Sequence, residues 1–378
     1  MKVYFLVFFS IVLLVFFSTN YYILHRSVAA IQGFHYKNYI IALFWLIVFT
    51  YPVGRILESV IPTLAPPVLV KIGSIWLAVM LYLFLGLLLL DILRGIYALS
   101  DFHFLSFLAA KRPLLIGIVY AITFVVVIVG YFNAVTPRIK QLQINLPAEK
   151  RILRPLKIVA ASDIHLGTII SNGRLKRLTT LINSQKPDII LLVGDTFDED
   201  LGPVIRNNMG EQLSTLKATY GVFAITGNHE YYGNVDKAIQ YLQAHGITVL
   251  QDTTITIDGI ANLVGRNDRQ SIRFLGKNRK PLEALMKESN QSLPTILLDH
   301  QPFNLSEAQN NKVTLQLSGH THHGQLWPFN YITEAIFELS SGYLQRENTH
   351  YYVSNGYGTW GPPVRVGNRP EIVVITLK

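Results

Sequence analysis

The chain has 378 residues, half of them hydrophobic and only 15% charged, with a formal net charge of +9. Ordinary soluble proteins carry roughly 25% charged residues, so a wholly soluble protein is excluded and a membrane region is expected. Ten Lys/Arg against three acids in residues 1–140 hold +7 of the charge; this suits anionic lipid headgroups, no nucleic-acid partner is expected, and the absence of cysteine excludes disulfides, thiolate ligands and a cysteine nucleophile.

Four apolar stretches come first, at about 3–23, 39–53, 72–90 and 113–135. A helix needs roughly 20 apolar residues to cross a bilayer. The first, third and fourth reach that length. The second is short, closed by Pro52, Gly54 and Arg55, and reads either as a span or as a re-entrant piece. Lys2 and the first stretch fit a signal peptide, but no small-residue cleavage site follows, so an uncleaved anchor is expected. Asp91 and Arg94 close the third stretch and read as a snorkelling interfacial pair. The expectation is a multi-pass protein of the cell membrane, with residues 1–137 as its transmembrane region. Flanking Lys/Arg divide five against five between the two sides. Counting Lys150 and Arg151 tilts the side of the termini and of the C-terminal domain toward the cytoplasm.

Past Tyr131 the character changes. Leu142, Ile144 and Leu146 alternate with polar residues, as in a half-buried strand. Short apolar runs follow at 157–161, 188–193, 222–226, 294–298 and 312–317. Between them, Ser171 stands where it can cap a helix carrying Leu175, Leu178 and Ile182, and 235–244 reads as a second helix. Strands alternating with helices predict an α/β domain over 138–378, its sheet flanked by helices.

Chemistry gathers at the strand ends. The five runs lead into Asp163-Ile164-His165, Gly194-Asp195-Thr196-Phe197-Asp198, Gly227-Asn228-His229-Glu230, Asp299-His300 and Gly319-His320-Thr321-His322. Ligands of open α/β sheets bind at the carboxyl ends of strands, so these residues should converge in one crevice. Imidazole and carboxylate suit borderline or hard divalent ions. One carboxylate can bridge two ions about 3.5–4 Å apart. Taken singly, each string has an ordinary reading as a turn, a helix cap or a solvated loop. The ordered set is what points to a metal centre.

The order and spacing resemble the calcineurin-like metallophosphoesterase family over about 138–378. The resemblance implies a four-layer α/β/β/α sandwich beside the membrane helices. It also implies two divalent ions, Mn, Fe or Zn. By it, Asp163, His165, Asp195 and His322 hold the first ion, Asp195 bridges, and Asn228, His300 and His320 hold the second. His229 then sits beside the substrate as the catalytic general acid or leaving-group stabiliser, and Asp198 orients a neighbouring ligand. Glu230 serves the motif or only the helix start. The string 320–325 (HTHHGQ) and the segment Gly356-Tyr357-Gly358-Thr359-Trp360-Gly361-Pro362-Pro363-Val364-Arg365, with Pro370-Glu371-Ile372 after it, resemble the YkuE-like and YaeI-like bacterial branch. His323 departs from that branch, which usually has Gly there; it touches phosphate or is merely exposed. Arg365 pairs with a second phosphate or lies at the surface.

The expected reaction is hydrolysis of a phosphate ester or anhydride by a metal-bound hydroxide. A phospholipid or nucleotide-linked lipid is the expected substrate. Cleavage of UDP-diacylglucosamine is one candidate the resemblance implies. The apolar segment 326–344 reads as an acyl-chain cradle, an interfacial contact or ordinary core. The alternative function is a membrane sensor or scaffold that binds nucleotide or lipid without turnover.

Overall fold

The computed structural model describes residues 2–31, 33–61, 67–99, 111–150 and 152–378. Arg151, used in the flanking-charge comparison, lies outside them. The chain forms two compact units, Met1–Tyr131 and Phe132–Lys378.

Among the described residues, four long helices appear first: α1 (Lys2–Val28), α2 (Lys37–Val60), α3 (Pro67–Leu99) and α4 (Arg112–Ala134). All four are long and apolar enough to cross a membrane. The second stretch does not stop at Pro52, because α2 runs on through it to Val60. At Gly73 of α3, an added Cβ would lie 2.4 Å from the Tyr51 backbone nitrogen. The missing side chain thus lets α2 and α3 approach closely, as small residues do between apolar helices. Asp91 has a nearer partner than Arg94. Arg26 Nε of α1 lies 2.7 Å from Asp91 Oδ2 and Tyr22 donates to it at 2.6 Å, whereas Arg94 is 3.5 Å away. The acid ties α1 to α3.

The second unit holds two six-stranded sheets. The first contains β1 (Arg138–Ile144), β2 (Leu156–Ala161), β3 (Ile189–Val193), β4 (Val222–Ile225), β5 (Thr248–Val249) and β12 (Glu371–Leu377), in the order β1-β12-β2-β3-β4-β5. The second contains β6 (Thr253–Ile257), β7 (Ala261–Gly265), β8 (Thr295–Leu298), β9 (Leu315–Ser318), β10 (Gly342–Arg346) and β11 (Thr349–Val353), in the order β10-β11-β9-β8-β7-β6. Both are mixed: β2, β3 and β4 pair in parallel, as do β7, β8 and β9, while β12 runs antiparallel to β2.

Alternation along each strand builds the layers, since successive side chains face opposite sides. Ile190 and Leu192 of β3 pack outward with Leu175, Leu178 and Ile182 of α5 (Asn172–Ser184) and with Ile239 and Leu242 of α9 (Val235–Ala244). Ile189, Leu191 and Val193 face inward, in one core with Leu263, Ile296 and Leu315 of the second sheet. Beyond that sheet, Leu297 packs with Leu285 of α11 (Leu282–Lys287) and Leu305 of α12 (Leu305–Asn310). The order helix, sheet, sheet, helix is a four-layer sandwich. Burial on both faces explains why these strands read as unbroken apolar runs.

Local readings mostly match. Ser171 sits at the N-cap of α5, but its hydroxyl makes no capping bond. Short helices α6 (Gly202–Arg206), α7 (Met209–Leu213), α8 (Asn228–Tyr232), α10 (Ser271–Leu275) and α13 (Asn330–Ile336) complete the unit.

Candidate metal centre

The loops after β2, β3, β4, β8 and β9 bring their donors to one place. Three groups have ligand atoms within 4.8 Å of one another: Asp163 with His165 and His322; His165 with Asp195 and His229; and Asp195 with His300 and His320. Asp195 belongs to two of them. Asn228, the first residue of α8, is buried beside them.

The backbone is bent to achieve this. Asp163, His165, Asp195, His320 and His322 all have φ between 46° and 71°. Non-glycine residues rarely adopt this region, and its occupants cluster at functional sites. Two glycines leave room for the carboxylates: a Cβ on Gly227 would lie 2.2 Å from Asp195 Oδ1, and one on Gly319 would lie 2.2 Å from Asp163 Oδ2.

The donors face one another. His165 Nε2 and His322 Nε2 are 3.0 Å apart, and Asp163 Oδ1 is 3.5 Å from the latter. Burial, reinforced by neighbouring histidines, holds both imidazoles well below their ordinary pKa, and burial with His300 nearby lowers His320 to about 4. Burial opposes a charged His300, yet Asp195 Oδ2 at 3.0 Å holds it well above the ordinary range. Burial likewise opposes the Asp195 carboxylate, but His300, His229 and His165 together keep it well below. Burial pushes Asp163 up to about 6, with His300 pulling against it and Asp195 adding to it.

These residues fit a pair of cations. His165 Nδ1 and Asn228 Oδ1 are buried without a hydrogen bond, a costly state that a ligand relieves. Neutral imidazoles, an amide oxygen and carboxylates form a donor set for borderline divalent ions. Outer contacts fix the rings. His300 Nδ1 lies 2.8 Å from the Val193 carbonyl, and the His320 amide donates to Asp163 Oδ1 at 2.8 Å.

His229 lies at the edge of the cluster. Its amide donates to Asp195 Oδ1 at 2.9 Å, and its ring stands edge-on to His165 at 4.6 Å. Asp198 is buried between the two histidines, Oδ1 being 3.9 Å from His165 Nδ1 and 3.8 Å from His229 Nδ1. Glu230 does more than start α8. Its carboxylate accepts from the amides of Gly227 at 2.7 Å, Phe197 at 3.0 Å and Asp195 at 3.2 Å. It therefore braces two ligand loops against each other. Burial, with Asp195 adding, pushes Glu230 up to about 7 against those amides.

One reading is corrected and one is narrowed. Arg365 neither lies at the surface nor is free for phosphate. It is fully buried and donates to the carbonyl of Gly358 at 2.7 Å, to Asn368 Oδ1 at 2.7 Å and to His322 Nδ1 at 3.2 Å. Burial, with Arg174 nearby, lowers its pKa to about 9. His323 is half-buried, its Nδ1 3.1 Å from Ser340 Oγ and its Nε2 3.6 Å from Glu334. The segment 326–344 divides. Leu326 and Phe337 are buried, while Trp327, Phe329, Tyr331, Ile332 and Ile336 are exposed.

The chain is similar to known proteins. The calcineurin-like phosphoesterase family matches residues 156–324. A transmembrane protein with metallophosphoesterase domain from Danio rerio is 33% identical over 68% of this chain and 61% of its own length. The metallophosphoesterase YkuE of Bacillus subtilis is 33% identical over 59% of this chain and 79% of its own. An uncharacterized metallophosphoesterase of Campylobacter jejuni is 30% identical over 99% of both chains. With a relative of that kind matched along its whole length, this chain belongs to the calcineurin-like metallophosphoesterase family.

Proposed function

We propose that the protein hydrolyses a phosphorylated lipid or lipid-linked headgroup at the surface of the cell membrane, using two divalent ions. Asp195 belongs to two donor groups, one buried throughout and one in which His320 is half-buried, and this sharing carries the two-ion reading. Asp163, His165, Asp195 and His322 would hold one ion, and Asp195, Asn228, His300 and His320 the other. Two such ions supply Lewis acidity and ready deprotonation of water near neutral pH.

The chain's own residues do the rest. Buried His165 and His322 and half-buried His320, all with lowered pKa, offer lone pairs without adding charge. Asp195 supplies the charge both positions need. His229 sits beside the cluster without a hydrogen bond at Nδ1, placed to deliver a proton to the leaving oxygen. Asp198, 3.8 Å from that nitrogen, is placed to orient the ring. No side chain needs to act as nucleophile.

The lipid reading rests on the four apolar helices and on the exposed side chains of Trp327, Tyr331 and Ile332 after the last ligand loop. The test uses the full-length protein in mixed micelles. Catalytic efficiency on a long-chain phospholipid is compared with that on its short-chain soluble analogue. The long chain should be preferred, and Trp327→Ser with Ile332→Ser should erase the preference. Equal efficiency would leave a tethered hydrolase of soluble phosphoesters.

A further inference from the structure

The loop after β7 and helix α10 carry features the catalytic roles leave unused. Residues 269–280 hold five basic residues (Arg269, Arg273, Lys277, Arg279 and Lys280) and no acid. Arg279 is committed to Asp299. Arg273 and Lys277 are exposed, and the apolar side chains between them are exposed as well. Ile272, Phe274 and Leu275 of α10 and Tyr331, Ile332 and Ile336 of α13 are each 40–60% exposed. No residue of α13 is buried. Water does not favour two adjoining ridges of this kind, and sets of exposed apolar residues mark interaction surfaces.

The two ridges are joined, and they flank the metal centre. The Arg269 guanidinium lies 4.9 Å from the ring centroid of Phe303, whose ring packs on Phe337 at 4.7 Å, at the C-terminus of α13. Phe337 in turn lies 5.9 Å from His320. On the other side, Phe274 meets Tyr232 at 5.7 Å, and Tyr232 meets His229 at 5.5 Å. Each ridge is therefore one or two rings from a residue of the cluster.

We infer that α10, with its basic flanks, and α13 form a docking surface for an anionic lipid bilayer, set around the mouth of the metal centre. Two observations select a bilayer as the occupant. On α10 and its flanks, interleaved basic and large apolar side chains match a layer of anionic headgroups above acyl chains, while α13 adds apolar side chains and one acid, Glu334. The chain also supplies the membrane's proximity, because only three residues separate the end of α4 from the start of β1. Residues there have little slack, since the Ala134 and Val135 carbonyls accept from Arg174 at 2.8 Å and Arg177 at 2.6 Å. The surface does not depend on the substrate being a lipid. It would equally hold the site against headgroups while a soluble phosphoester enters.

The cysteine-free sequence permits a direct test on the full-length protein. Single variants Ile272→Cys, Ile332→Cys and Gln243→Cys, the last on exposed α9 surface, are labelled with an environment-sensitive NBD fluorophore. They are reconstituted in nanodiscs of phosphatidylcholine with or without phosphatidylglycerol. Labels at 272 and 332 should emit to the blue and be quenched by doxyl-labelled lipid, more strongly with phosphatidylglycerol. The label at 243 should do neither. Arg273→Glu with Lys277→Glu should weaken the quenching at 272. Aqueous emission at 272 or 332 in the anionic discs overturns the proposal. So does equal quenching at 243, or indifference to both lipid charge and the double variant. Hydrolysis of a soluble aryl phosphodiester by the same samples reports separately on the phosphoesterase chemistry.

Discussion

Asp91 in the helical unit and Asp195 in the catalytic unit are both acids drawn from water, and their neighbours differ in kind. Asp91 meets cations and a phenol: Arg26 at 2.7 Å, Arg94 at 3.5 Å and Tyr22 at 2.6 Å. Its carboxylate is fully matched by partners of opposite charge and a hydroxyl donor, so it reads as a fastener between helices. Asp195 sits among histidines and a second carboxylate, and around it imidazole nitrogen faces imidazole nitrogen. Like groups held together in a dry interior are costly unless something else is bound there. A buried polar cluster is structural when its members complement one another, and functional when they converge on a shared absence of complement.

That contrast can be broken experimentally. The largest effect is expected for Asp195→Asn, which removes the charge common to both donor groups. Elemental analysis should show both ions lost, and turnover should fall to background. Retention of two ions would refute the shared-ligand assignment. His229→Ala should keep both ions yet lose turnover on the order of 10²–10⁴-fold. A metal-poor His229→Ala protein would move that residue into the ligand set. Arg365→Met should weaken metal affinity about 10–100-fold, as loss of outer-shell partners does, read by chelator competition. Unchanged affinity alongside a lowered melting temperature would show Arg365 to be only a structural strut. The fourth test is pH. Asp195 holds a proton on His300 well above the ordinary histidine range, and an incoming ion must displace it. Affinity should therefore fall as pH falls, by about tenfold per unit for each proton released. Equal affinity at pH 6 and pH 8 would count against that displacement. The smallest effect is reserved for the fastener: Asp91→Asn should cost about 1–3 kcal/mol of stability and leave metal content intact. Loss of metal in that variant would blur the distinction.

The convergence of the candidate donors was legible because they stand in short local strings at strand ends: an apolar run, in three of the five a glycine, then His, Asp or Asn. The α/β class was legible for the same reason, since β3 and β9 announce themselves as apolar runs. Long-range pairing was not. Nothing local says that β12 inserts between β1 and β2, or that β6 and β10 form the edges of a second sheet. Arg365 was misjudged because its partners are a carbonyl seven residues away and a histidine 43 residues away, and the sequence shows only a charge near the end of a loop. Asp91 was given its helical neighbour Arg94 because proximity in sequence is visible, whereas Arg26 lies 65 positions off and on another helix. The bracing by Glu230 had a sequence signal, the fixed spacing to Gly227, but its reach to Phe197 did not.

The edge strand β1 has a mechanical consequence. It follows the last apolar helix by three residues, and its strand neighbour is β12, parallel and in register from Arg138 opposite Glu371 to Ile144 opposite Leu377. Arg138 and Glu371 are ion-paired at 3.1 Å at the end where the chain enters. A pull directed along β1 runs along both strands rather than across them. The rungs of this pair must then yield together, in shear, instead of opening one by one like a zip. This clamp stands at the ligand end of the sheet: β12 runs antiparallel to β2, with Val373 opposite Ala160, so Arg138 and Glu371 lie level with the strand end that leads into Asp163.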